Sequence, residues 1–194
     1  MLCDHLWATV LPGWMWLTDI GRIAFPIFAF QVAEGFQRTH DRKKYLLRML
    51  AFALISEIPF NYLYYSSPVF PFHQNVMFTF FIALLLMLGL EKLRGKGTGV
   101  YIIAAALSLP VGYFLGTVTM VDYYGSGVVT VLIFYLCRNR PRLGAALYLL
   151  SYLPALMNGW PEDPLCLTVG GLCIDWSIFA VFAAPLIFCA THSR

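Results

Sequence analysis

Between Lys96 and Asp122 the chain runs without a single charged side chain. A helix of about 20 such residues, rising 1.5 Å per residue, crosses the roughly 30 Å hydrocarbon core of a bilayer. Similar apolar segments recur near 18–38, 43–65, 74–93, 98–118, 121–138, 141–158 and 172–191. The runs are continuous rather than alternating, which favours helices over barrel strands. The expected fold class is therefore all-α, a polytopic membrane bundle of about seven full spans. Composition agrees: 60% of residues are hydrophobic and only 12% charged, where soluble domains carry about a quarter. With no linker, internal repeat or low-complexity stretch, residues 1–194 read as a single transmembrane domain.

The basic residues set the expected orientation. Arg38, Arg42, Lys43, Lys44 and Arg48 flank one connection, Lys92, Arg94 and Lys96 a second, and Arg138, Arg140 and Arg142 a third. The intervening connections, near 13–18, 66–73, 117–121 and 159–171, hold no Lys or Arg. Loops rich in Lys and Arg stay cytoplasmic, so the N-terminus is expected inside and the uncharged connections outside. The apolar piece at 1–12 covers roughly 18 Å at helical rise, a shortened first helix. "MLCDHLWATVLPG" has no basic region ahead of its apolar run, so no signal peptide is expected.

Against this frame the polar residues gather in one layer. Arg22 falls about 6 Å below the outer end of its span, and Glu57 about 12 Å from the end of the next, by helical rise. His5, beside Asp4, lies at a similar depth, and Asn61, Asn75, Asp122 and Tyr123 fall in the same outer half. An ionisable side chain within a membrane is costly and usually has a partner or a function. Arg22 can snorkel to headgroups or pair with Glu57 or Asp122. Glu57 precedes Pro59 in "SEIPFN", where a missing amide interrupts the helix ladder. His5 is the natural proton acceptor near neutral pH, with packing as its bland alternative. Glu34, four residues before Arg38, has the spacing of a local ion pair.

Other signals are weaker. "LRGKGTG" at 93–99 is basic and Gly-rich but does not fit a P-loop. Its Lys92, Arg94 and Lys96 could neutralise the phosphates of a cytosolic cofactor, or simply mark a cytoplasmic turn. Cys166 and Cys173 share an outer connection and are either a disulfide or two free thiols. Cys137 reads as a packing residue. No cysteine or histidine spacing suits a metal, and a net charge of +3 does not argue for nucleic acid.

Five blocks together resemble the TraX family of bacterial membrane proteins: "DH" in the first piece, "GRIAFPIFAFQVAEGFQRTH", "KYLLRMLAFALISEIPFN", "NVMFTF" and "DYYGSGVVTVLIFYLCRN". They occur in the family's order over roughly residues 3–140. The resemblance implies N-acetylation of pilin subunits in the inner membrane. It also implies a distant similarity to transmembrane acyltransferases that use cytosolic acyl-CoA. In that group a histidine in an early span is the usual catalytic candidate, which falls here on His5, with Arg22 and Glu57 on characteristic positions.

The expected function is acyl transfer from cytosolic acetyl-CoA or another acyl-CoA to an amine or hydroxyl acceptor outside, a pilin-like subunit or another envelope component. The expected catalytic set is His5, Arg22, Glu57 and Asp4. Lys92, Arg94 and Lys96 would hold the donor, and Asn61, Asn75, Asp122 and Tyr123 the acceptor, with no metal. Membrane lipids surround the bundle, and no nucleic acid is expected as a partner. The same polar layer could instead belong to a small permease or to a non-catalytic assembly factor of a conjugation or pilus system.

Overall fold

The computed structural model describes residues 5, 9–11, 14, 16–151, 166–169, 172–175, 180–184 and 187. They form helices α1 (Trp16–Arg38), α2 (Arg42–Tyr65), α3 (Val76–Arg94), α4 (Thr98–Val118), α5 (Tyr124–Leu136) and α6 (Pro141–Leu150). Strands β1 (Cys166–Val169) and β2 (Leu172–Asp175) follow. The helix starts have local causes. Asp41 caps α2 by accepting the Lys44 amide at 2.9 Å, and Asn75 caps α3 by accepting the Met77 amide at 2.9 Å. Such a cap satisfies one of the four amides that a helix start leaves without a partner. At its other end α2 stops at Ser66, whose φ of 53° is left-handed.

Helices α2, α3 and α4 are each long and apolar enough to cross a membrane. Their outward faces carry large apolar side chains, with Ile55 68% and Phe114 64% exposed. Water would not tolerate so continuous an apolar surface on a monomer, whereas lipid does. The chain is a helical membrane protein.

The described residues do not show seven full spans. Among the described residues three helices qualify, α2, α3 and α4. Helix α5 has 13 residues, about 20 Å at helical rise, because Met120, Tyr123 and Tyr124 take positive φ and delay its start to residue 124. Helix α6 has 10 residues, and residues 152–158 of the span expected there lie outside the described ones. The span expected at 172–191 opens as a strand, since β2 pairs antiparallel with β1 and sets Val169 opposite Leu172. Between them the sequence is Gly170-Gly171, a dipeptide favoured in two-residue hairpins. The shortened first helix falls largely outside the described residues. Within it the Thr9 hydroxyl donates to the His5 carbonyl at 2.6 Å. Helix α2 also runs unbroken through Pro59; one lost amide does not end a helix whose other bonds stay in lipid.

The chain divides into two compact units, one of Met1–Phe28 with Cys137–Arg194, the other of Ala29–Leu136. In the first, Tyr148 of α6 is fully buried and its hydroxyl donates to the Ala180 carbonyl at 2.6 Å. In the second, α3 is central, packing against α2, α4 and α5. Phe80, Ala83, Leu84 and Met87 of α3 and Val128, Val131 and Leu132 of α5 form its core.

Helices α4 and α5 approach closely because Gly112 and Gly116, four residues apart on α4, leave room for Leu132 and Val128 and for the Tyr124–Gly125 backbone of α5. A Cβ at Gly116 would lie 2.7 Å from the Tyr124 carbonyl, and one at Gly125 would strike the Tyr113 carbonyl and Thr117 Oγ1. Small residues at this spacing let membrane helices touch backbone to backbone. Gly125→Val is therefore expected to destabilise the second unit by about 1–3 kcal/mol or more. A thermal midpoint in detergent equal to the parent's would show that the contact is dispensable.

Candidate functional site

Glu57, Asn61 and Tyr65 follow one another at four-residue intervals along the last turns of α2. That spacing keeps them near one face. Opposite them comes the connection 66–75, tied to the turn before α5 by two backbone bonds. The Gln74 amide donates to the Met120 carbonyl at 2.9 Å, and the Asp122 amide to the Gln74 carbonyl at 2.8 Å. These bonds bring α2, the start of α3 and the start of α5 to one end of the second unit.

Glu57 is held through one oxygen. Its Oε2 accepts from the Asn75 backbone amide at 3.1 Å and from Asn75 Nδ2 at 2.6 Å. The second proton of Nδ2 goes to the Ala53 carbonyl at 2.9 Å, so the Asn75 side chain is fully used. Glu57 Oε1 is buried and accepts no hydrogen bond among the described residues. Asn61, 1% exposed, donates from Nδ2 to the Pro68 carbonyl at 3.4 Å, while its Oδ1 is likewise buried without a donor. Two buried acceptors one helical turn apart thus have no hydrogen-bond donor among the described residues. Leaving such atoms unsatisfied costs about 1–3 kcal/mol each, more for a charged group.

Nearer the surface a third group appears that the hydropathy pattern does not signal. The Tyr65 hydroxyl lies 2.7 Å from His73 Nδ1, and His73 Nε2 lies 3.8 Å from Asp122 Oδ1. Phe60 meets the His73 ring edge to face at 5.5 Å, and Phe70 stacks on Tyr65 at 3.8 Å. The turn presenting Asp122 is strained: Met120, Tyr123 and Tyr124 are all left-handed, a conformation that non-glycine residues take at a cost, often at functional sites. Asp122 steadies it by accepting the Tyr123 amide at 3.1 Å and the Thr79 hydroxyl on its carbonyl at 2.5 Å. His73 and Tyr65 had one sequence signal, a histidine in a Pro-flanked connection, "SSPVFPFHQN", that carries no other ionisable side chain.

The opposite end of the same unit is basic. Glu91 gathers Arg42 at 3.0 Å, the Tyr135 hydroxyl at 2.6 Å and Arg94 at 3.5 Å, linking α2, α3 and α5. Arg42 lies over the Phe36 ring and Arg94 over Tyr101. The Glu34–Arg38 pair forms as its spacing implies, at 2.7 Å. Lys92 and Lys96 are exposed. Thr39, His40, Asp41, Arg42 and Lys43 line a shallow, open cleft of about 630 Å³.

The remaining expected residues lie in the first unit. His5 is half-buried in a helical turn, and Arg22 is half-buried on α1. Asp4 lies outside the described residues. A pairing of Arg22 with Glu57 or Asp122 would join different units, and each residue is described in its own surroundings. Cys137 is a free thiol, and burial pushes its pKa up, countered in part by Arg140. It is therefore not a ready nucleophile. The hairpin register sets Cys166 opposite Asp175 and Cys173 opposite Thr168, so the two cysteines are not directly opposed.

Residues 1–193 match the family model described as TraX protein. The chain belongs to the TraX family. No curated protein and no solved structure matches it. Within this TraX-family chain, the "NVMFTF" block supplies the cap and first turn of α3. The "DYYGSG" block supplies the left-handed turn and the close α4–α5 contact.

Proposed function

We propose that this TraX-family chain is an acyltransferase of the bacterial cytoplasmic membrane. It would move an acyl group from cytosolic acetyl-CoA or another acyl-CoA to an amine or hydroxyl on the extracytoplasmic side. Family membership suggests a conjugation- or pilus-related setting, with a pilin-like subunit or another envelope component as acceptor. The observation that carries the reading is the pair of buried, donorless acceptors, Glu57 Oε1 and Asn61 Oδ1, at the end of the unit away from the basic residues. An amine or hydroxyl supplies the protons these atoms lack, and a carboxylate there stabilises positive charge on an attacking nitrogen.

Sidedness supports the division of labour. Positive-inside placement puts Arg42, Lys92 and Lys96 in the cytoplasm, where acyl-CoA is made. The cleft at 39–43 and the exposed Lys92 and Lys96 offer contacts for its phosphates, while Arg94 is held by Glu91 and Tyr101. Asn61, Asn75, Asp122 and Tyr123 shape the acceptor side. His5 is the general base and Arg22 steadies developing negative charge, as the family resemblance implies. Lys96→Ala is then expected to raise the KM for acyl-CoA with little change in kcat. The defect should shrink as salt is added, because exposed charges are screened; a salt-independent defect would remove Lys96 from the donor site. The proposal is tested by mass spectrometry of envelope proteins and lipids from cells with and without the protein. An acylated amine or ester present only with the protein is expected, and identical spectra would contradict it.

A further inference from the structure

We infer that Tyr65, His73 and Asp122 form a proton relay that strips an incoming ammonium acceptor to the free amine before acyl transfer. This role rests on the acyltransferase reading above. A primary amine has a reference pKa of about 8 at a chain terminus and about 10.4 on lysine, so at neutral pH it arrives protonated and without a lone pair. Acylating it releases two protons. One leaves nitrogen as the N–C bond forms and the C–S bond breaks, and it ends on the CoA sulfur. The other must come off first and reach water.

The geometry points to His73 for that first proton. Its Nδ1 lies 2.7 Å from the Tyr65 hydroxyl and its Nε2 3.8 Å from Asp122 Oδ1. With the ring hydrogen on Nε2, Nδ1 accepts from the phenol. An ammonium on its way to Glu57 Oε1 and Asn61 Oδ1, which lie one to two helical turns further along the same face of α2, first meets the Tyr65 hydroxyl. It gives a proton to the phenol oxygen as the phenol proton passes to Nδ1. Tyrosine is neutral before and after, the imidazole becomes imidazolium beside the Asp122 carboxylate, and the amine gains its lone pair. The His73 and Asp122 side chains are 28% and 31% exposed, so the proton then leaves to water from the Nε2 side. The titratable groups facing the ring are Tyr65 from α2, Asp122 from the turn and Tyr124 from α5, whose ring stacks on His73 at 6.4 Å.

An acceptor that is already uncharged at neutral pH needs no such step, and this provides the test. Acyl transfer is measured in nanodiscs with His73→Gln and the parent, using glycine ethyl ester or hydroxylamine as acceptor. His73→Gln is expected to lose about 10²-fold toward the ammonium acceptor. It should keep near-parent rates with hydroxylamine, and the loss should shrink as pH rises through the amine's own titration. Equal losses on both acceptors, or none on either, overturn the relay. Separately, the ¹⁵N resonance of His73 Nδ1 should move in Tyr65→Phe whether or not transfer occurs, and an unmoved resonance overturns the hydrogen bond on which the relay depends. A parent that acylates neither acceptor, with the resonance moving as expected, removes the acyltransferase reading and this role with it but leaves the hydrogen-bonded group in place.

Discussion

His5→Ala is expected to lower acyl transfer by about 10²–10⁴-fold, the usual worth of general-base catalysis, with little effect on folding. His5 is half-buried in a helical turn, and its backbone carbonyl, which accepts the Thr9 hydroxyl, is unchanged in the variant. Alanine is the best helix former, so the turn should persist. The change should fall on kcat, with far-ultraviolet circular dichroism and the thermal midpoint close to the parent's. Transfer at the parent rate would return His5 to a packing role and leave the proton chemistry to the second unit.

Two changes at Glu57 should part in the same assays. Glu57→Ala removes the acceptor of both the Asn75 amide and its Nδ2. Each orphaned donor costs about 1–3 kcal/mol, and because Asn75 caps α3 the loss spreads to the central helix of its unit. Glu57→Gln keeps an oxygen for Asn75, so the fold should survive. Its amide nitrogen, however, replaces the donorless Oε1 and turns an acceptor into a donor beside Asn61. Transfer to amines should then fall by at least about 10²-fold in a folded protein. If Glu57→Gln is fully active, the buried carboxylate serves packing alone.

The sequence made the outer frame legible and hid much of the site. Expected spans at 18–38, 43–65, 74–93 and 98–118 fall within two residues of α1 to α4, because uninterrupted apolar runs end at capping residues such as Asp41 and Asn75. The shorter α5 was not legible. Its start depends on left-handed backbone at Tyr123 and Tyr124, which hydropathy does not sense. Glu57, Asn61 and Asn75 stood out because polar residues in an apolar run are conspicuous. His73 did not, since a histidine in a connection is ordinary until the Gln74–Asp122 backbone bond brings it to the aspartate. Glu91 was equally hidden: it joins Arg42, 49 positions away in sequence, through packing that no local pattern encodes.

The most direct test of acyl transfer is release of free CoA from acetyl-CoA by the purified protein in nanodiscs, with and without a primary amine. The account predicts release that the amine accelerates, that appears together with an acetylated amine in equal amount, and that His5→Ala and Glu57→Gln each suppress. Release no faster than from empty nanodiscs, with no acetylated product, would contradict it.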